Sequence, residues 1–177
     1  MKLWSTLNRA IVGWQMIVRG LPGWRSQFTI SAAGLATALI IFAFMAFLEI
    51  ALASMSVGMP GGFGVLASLV VLALPVIALV TTLLSTRNFL KTDVPVLPAL
   101  VPGVYAMTAF LAFEGLLAMV GGPVVMLAWL AAGYLLFRLA RMALDWTVGV
   151  AVGFAVLTVV LLVAVRLALY MLTNAIP

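Results

Sequence analysis

Residues 28–53 read FTISAAGLATALIIFAFMAFLEIALA, a run of apolar and small side chains interrupted by one charge, Glu49. A helix rises about 1.5 Å per residue and a bilayer core of about 30 Å needs roughly 20 residues, so this run is long enough to cross a membrane. Four more stretches of the same kind follow at 63–85, 98–120, 123–139 and 146–172, each with at most one charge. Turn-forming residues separate them: Gly58, Met59, Pro60, Gly61 and Gly62 after the first, and Gly121, Gly122 and Pro123 after the third. The second of these turns is so short that the spans on either side are expected to pack antiparallel. Asp145 and Trp146 open the last span. The spacing predicts an all-α integral membrane protein with five transmembrane helices over residues 28–172, preceded by a short amphipathic interfacial helix within residues 1–27 and followed by a short extracytoplasmic tail, 173–177.

Composition agrees with that class. The 177 residues are 67% hydrophobic and 7% charged, with a mean hydropathy of +1.35, whereas soluble domains are about 45–50% apolar and about 25% charged. There is no cysteine and no histidine, so disulfides, thiolate nucleophiles, Ser-His-Asp triads and metal or haem sites built on those ligands have no residues to form them. Ser54, Ser56, Thr81, Thr82 and Ser85 lack an evident activating base and read as helix-stitching hydroxyls, not nucleophiles. No cofactor is expected. Ten methionines suit apolar contacts but do not by themselves mark a pigment or haem site.

Basic residues set the expected orientation. Lys2, Arg9, Arg19 and Arg25 precede the first span, Arg87 and Lys91 lie between the second and third, and Arg138 and Arg141 between the fourth and fifth. Eight of nine therefore fall on one side, which the positive-inside rule makes cytoplasmic. The N-terminus is expected inside and the C-terminus outside, in a bacterial inner membrane. No uninterrupted apolar segment precedes a cleavage site in residues 1–27, so no secretory signal peptide is expected. The net charge of +5 reads as a topology signal beside anionic headgroups, and no nucleic-acid partner is expected. Trp24, Trp146 and Tyr170, near span ends, read as interface anchors. Leu3, Leu7, Ile11, Trp14 and Val18 form a helical stripe, and Leu21, Pro22 and Gly23 break it before the first span. That segment reads as an anchor, or as a docking helix for a partner.

Three ionisable residues lie inside the spans: Glu49, Glu114 and Arg166. Spans one, three and five run in the same direction, and all three residues fall in the outer half, where they are expected to meet as an intramembrane polar cluster. A lone charge at mid-membrane costs about 2.5–3.5 kcal/mol on the insertion scale, so such groups pair, face the bundle interior or line water. The cluster admits two uses, a static lock on helix register and proton handling. Gly149 and Gly153 make a small-xxx-small step that reads as helix packing. Pro75 is expected to kink the second span and free a carbonyl near Val71. MAFLEIALASM at 45–55 and FLAFEGLLAMV at 110–120 align Glu49 with Glu114 and read as a repeat of two hairpins.

A five-span bundle led by an amphipathic segment with Pro22, Gly23 and Trp24, and carrying Tyr134, Leu135, Leu136, Arg138, Leu139 and Ala140 late in span four, resembles bacterial members of the Yip family. The long polar N-terminal region of the eukaryotic members is missing. The resemblance implies a non-enzymatic membrane protein concerned with membrane organisation or with assembly of other proteins, and it supplies no catalytic residues. The leading expectation is an accessory or scaffold protein, a small subunit of a larger inner-membrane assembly, with the lipid bilayer and a membrane-protein partner or second copy as its contacts. The alternative is a proton-coupled or ion-conducting transporter that uses Glu49, Glu114 and Arg166. An intramembrane enzyme acting on lipid, with paired carboxylates holding a metal or moving protons, stands third.

Overall fold

Apolar runs that exclude water leave the backbone only one way to satisfy its own N–H and C=O groups within a segment, and the described residues form six α-helices. The computed structural model describes residues 2–58 and 61–175, with all their side chains except those of Lys2, Leu3, Ser56, Val57, Phe63, Tyr170 and 172–175. Helix α1 spans Lys2–Arg19; the five long apolar helices are α2 Ala32–Val57, α3 Gly62–Phe89, α4 Leu97–Val120, α5 Met126–Ala143 and α6 Val148–Ala175. All five are long and apolar enough to cross a membrane.

Helix ends depart from the charge-derived boundaries where local chemistry takes over. The first span starts at Ala32, not at Phe28, because Ser31 caps it: its Oγ accepts from the Gly34 N–H at 3.1 Å. Phe28 is instead extended and buried. Residues 122–125 form a 3₁₀ turn before α5, so the fourth span enters through a tighter coil than expected. Helix α3 continues past Ser85 to Phe89, and Arg87 donates from Nε to the Thr92 carbonyl at 3.2 Å. At the C-terminal end α6 continues through Ala175, so residues 173–175 of the expected tail are helical, and 176–177 lie outside the described residues. Pro75 is buried inside α3, which is helical on both sides of it.

Helix α2 packs on α4, α4 on α5, α5 on α6 and α6 on α3; thinner contacts of α3 with α2 and α4 close the bundle. Half of the most apolar stretch of α4 is buried, against 22–28% in the other four spans, which makes α4 the central post. Every residue from Val101 to Thr108 is buried, so two turns of α4 are enclosed on all sides. Small side chains permit that enclosure. A Cβ added at Gly103 would lie 2.8 Å from Leu79 of α3 and 3.3 Å from Leu139 of α5.

Close packing does not occur where the small-xxx-small step predicts it. A Cβ at Gly149 or Gly153 would meet nothing within 4 Å, so within the chain these glycines receive no neighbouring helix. Two of the expected interface anchors are likewise core residues. Trp24 is buried edge-on against Phe28, with centroids 6.2 Å apart, and Trp146 is buried edge-on against Phe154 at 5.4 Å. Each lies where the chain turns at a helix end, and there it fills the bundle end instead of facing headgroups. The side chain of Tyr170 lies outside the described residues.

Helix α1 packs along one edge of the stripe read in the sequence, with Leu7 and Trp14 against the core. Ala10, Gly13 and Ile17 are buried beside them, whereas Ile11 is 57% exposed. A Cβ at Gly13 would lie 2.5 Å from the Phe28 ring. Gly103→Val is expected to lower stability by about 1–3 kcal/mol through overpacking, read as a lower thermal midpoint in detergent, while Gly149→Val leaves the midpoint unchanged. Equal midpoints for the two variants would contradict this packing.

Candidate functional site

Glu114 and Arg166 do meet. Arg166 Nη1 donates to Glu114 Oε1 at 2.6 Å, the one ion pair among the described residues, with side chains 20% and 11% exposed. Glu114 sits near the end of α4 that precedes Gly121, and Arg166 reaches it from the facing stretch of α6. The guanidinium also lies over two aromatic rings, with Cζ 5.2 Å from the Trp129 centroid and 5.8 Å from that of Phe110. Those rings pack edge to face, 5.3 Å apart and inclined at 75°. Arg166 thus ties α6 to both α4 and α5. Cation–π contacts of this kind contribute from about 0.5 kcal/mol at exposed sites to about 2 when desolvated.

Glu49 is not part of the pair. It stands within electrostatic range of Glu114 and Arg166, but its carboxylate turns against Gly115, where an added Cβ would be 2.9 Å from Oε1. Its buried Oε2 has no hydrogen-bond partner among the described residues. Glu49 lines an open cleft of about 560 Å³ between α2 and α3, together with Ser54, Ser68 and Val71. Ser54 Oγ donates back to the Ile50 carbonyl at 2.8 Å. Within the expected three-residue cluster, Glu114 and Arg166 therefore pair directly, while Glu49 stands within electrostatic range of both, with one carboxylate oxygen unpartnered among the described residues, and lines a cleft. No group of three Asp, Glu, His or Cys side chains among the described residues is placed to hold a metal ion.

A second buried polar contact joins α3 and α6. The hydroxyls of Thr82 and Thr158 are 2.7 Å apart and both residues are buried; each oxygen also lies within hydrogen-bond distance of a carbonyl of its own helix, Thr82 of Ala78 and Thr158 of Phe154, so one hydroxyl donates to its own helix and accepts from the other. Either hydroxyl can be the donor across the interface. Thr82 was legible as a stitching residue; Thr158 was not, because a threonine isolated in a valine-rich stretch has no periodic signal. Trp129 was also missed. It lies nearly as far beyond the Gly121 turn as Glu114 lies before it, and equal depth across a tight turn is the signal that points to the contact.

At the opposite end, basic side chains hold α1 and the helix ends. Arg138 Nη2 donates to the Ile17 carbonyl at 3.0 Å, in the last turn of α1, an oxygen that also accepts from the Gly20 N–H, and Arg141 Nη1 donates to the Trp146 carbonyl at 2.6 Å. Trp14 Nε1 donates to the Pro102 carbonyl of α4 at 3.1 Å. These bonds lay α1 across the ends of α4 and α5. The end of the bundle that collects Arg25, Arg138 and Arg141 thus spends its cations on backbone carbonyls.

Breaking the ion pair from one side leaves an uncompensated charge in a largely dry place. Arg166→Met is expected to cost about 3 kcal/mol, read from thermal or denaturant unfolding in detergent, and the double replacement Arg166→Met with Glu114→Leu to recover most of it. A double variant no more stable than the single would show that the pair does not act as a structural unit. Comparisons of the chain with protein-family models, with curated proteins and with solved structures return no match, so the functional argument rests on this geometry.

Proposed function

We propose that this multi-pass helical membrane protein is a non-enzymatic accessory or scaffold component of a bacterial inner membrane, a small subunit of a larger assembly. The observation that carries the reading is the state of Arg166: paired with Glu114 and stacked on Trp129 and Phe110, it is engaged in holding three helices together. The Thr82–Thr158 contact serves α3 and α6 in the same way. Polar groups committed to interhelical contacts suit a rigid membrane body better than a conduction path, which needs polar groups free to exchange water, ions or protons. Large aliphatic faces remain outward on α2, α3 and α6, where Ile40, Phe44, Leu66, Val70, Val156 and Val160 are exposed. Such faces suit lipid and a neighbouring membrane protein or second copy alike.

The orientation proposed is N-terminus cytoplasmic, C-terminus extracytoplasmic. It is supported by the basic residues at the α1 end of the bundle, Arg9, Arg19, Arg25, Arg87, Lys91, Arg138 and Arg141. The resemblance to bacterial Yip-family proteins favours the same non-enzymatic reading. A transporter is the second reading, and Glu49 is its support: a carboxylate oxygen without a hydrogen-bond partner, lining an open cleft with two serines.

Extraction from the native membrane in a mild polymer, followed by native mass measurement, tests the proposal. A stoichiometric complex with another membrane protein is the expected outcome. Purified protein in proteoliposomes is expected to show no pH-dependent flux above the lipid background, with Glu114→Gln and Glu49→Gln indistinguishable from the parent. A flux that Glu49→Gln abolishes would select the transporter instead.

A further inference from the structure

Two cavities adjoin beneath α1, and they differ in chemistry. The smaller, about 130 Å³, is lined by polar side chains from four segments: Thr6 and Arg9 of α1, Gln27 and Thr29 of the following connection, Thr37 of α2, and Tyr105 of α4. The larger is an open groove of about 1000 Å³ whose walls are almost entirely hydrocarbon, with Leu7 and Ile11 of α1 on one side, Ile40 and Phe44 of α2 on another, and Ala109 and Ala112 of α4 as its floor. Ala10 and Tyr105 line both, so the polar cavity opens beside the head of the apolar groove. The groove runs from α1 down between α2 and α4, along the direction in which an acyl chain lies in a bilayer.

Charge narrows the occupant. The first acidic residue in the chain is Glu49, so Lys2, Arg9, Arg19 and Arg25 precede any carboxylate. Arg9 forms no ion pair among the described residues, although it lines the polar cavity, and Arg19 stands at the rim of the apolar groove. A guanidinium beside hydroxyl and amide donors matches a phosphodiester oxygen, and the adjoining hydrocarbon groove matches the chain esterified to it. We propose that the paired cavities under α1 form a binding site for one anionic glycerophospholipid of the surrounding leaflet, with its phosphate at Arg9 and one acyl chain between α2 and α4. The lipid fills the space left where α1 packs through Ala10 and Gly13, and it joins α1 to α2, which the protein's own contacts link only weakly.

The site stands independently of the scaffold reading. Its test uses the full chain, stripped of lipid and titrated with dioleoyl phosphatidylglycerol or dioleoyl phosphatidylcholine, with retained lipid counted by native mass spectrometry. One phosphatidylglycerol per chain is expected to survive activation that removes phosphatidylcholine. A basic residue near the headgroups is worth about 1 kcal/mol towards an anionic surface, so Arg9→Gln should lower phosphatidylglycerol occupancy about fivefold and leave phosphatidylcholine unchanged. Lys91→Gln, an exposed cation at the same end of the bundle, should have no such effect. Ala109→Trp, which fills the groove, should reduce both lipids. Equal retention of the two lipids by the parent, or equal losses from Arg9→Gln and Lys91→Gln, would overturn the proposal, as would a second polypeptide cross-linking at position 109 in place of lipid.

Discussion

A guanidinium placed inside hydrocarbon must find its counter-charge in the protein, and in this fold Arg166 finds it on Glu114. That requirement orders much of the bundle. It fixes the rotation of α6 about its axis, since only one face carries the arginine, and the depth of α6 against α4, since the two groups meet at 2.6 Å. Trp129 and Phe110 then complete the site from α5 and α4. Their rings offer electron-rich faces to the cation and displace lipid tails that would offer it nothing. Three helices share one polar point, surrounded by side chains that exclude water.

The rest of the bundle obeys a complementary constraint, that helices without a hydrophobic driving force between them approach only as closely as their side chains allow. Helix α4 is enclosed because it carries glycine, alanine and valine where α3 and α5 cross it, with Leu79 and Leu139 filling the space above Gly103. Gly115 serves the same purpose at the other end, receiving the carboxylate of Glu49 from α2. The two carboxylates that the sequence aligns thus occupy different surroundings. Glu114 is paired with a guanidinium, while Glu49, seated against Gly115, lines a cleft between α2 and α3.

Helix α1 is held by directional bonds as well as by apolar packing. The indole of Trp14 and the guanidinium of Arg138 reach carbonyls on α4 and α1, at the end of the bundle that α1 crosses. Packing through Ala10, Gly13 and Ile17 leaves Ile11 turned to the groove shared with α2 and α4. The basic residues of this end therefore divide into those consumed by carbonyls, such as Arg138 and Arg141, and those left for an external anion, such as Arg9. A charge census alone treats them as equivalent.

Five membrane-spanning helices, the amphipathic helix before them and the three intramembrane charges were all legible in the sequence, because length against bilayer thickness and the cost of a charge in hydrocarbon act on each segment separately. Ser31 shows where that reading reaches its limit: hydropathy continues to Phe28, but a hydroxyl three residues later caps the helix. Which charges pair, which glycines admit a neighbour and which tryptophans are buried depend on distances between segments far apart in the chain. Gly149 and Gly153 have the spacing of a packing motif and no helix against them, whereas Gly103 has no motif and two. Sequence by itself determined the solvent this protein lives in and the number of times it crosses it, since each apolar run meets the bilayer as an independent helix. Only the tertiary structure decided that Arg166 belongs to Glu114 and not to Glu49, because that choice is made by the rotation and depth of α2, α4 and α6, which no single segment encodes.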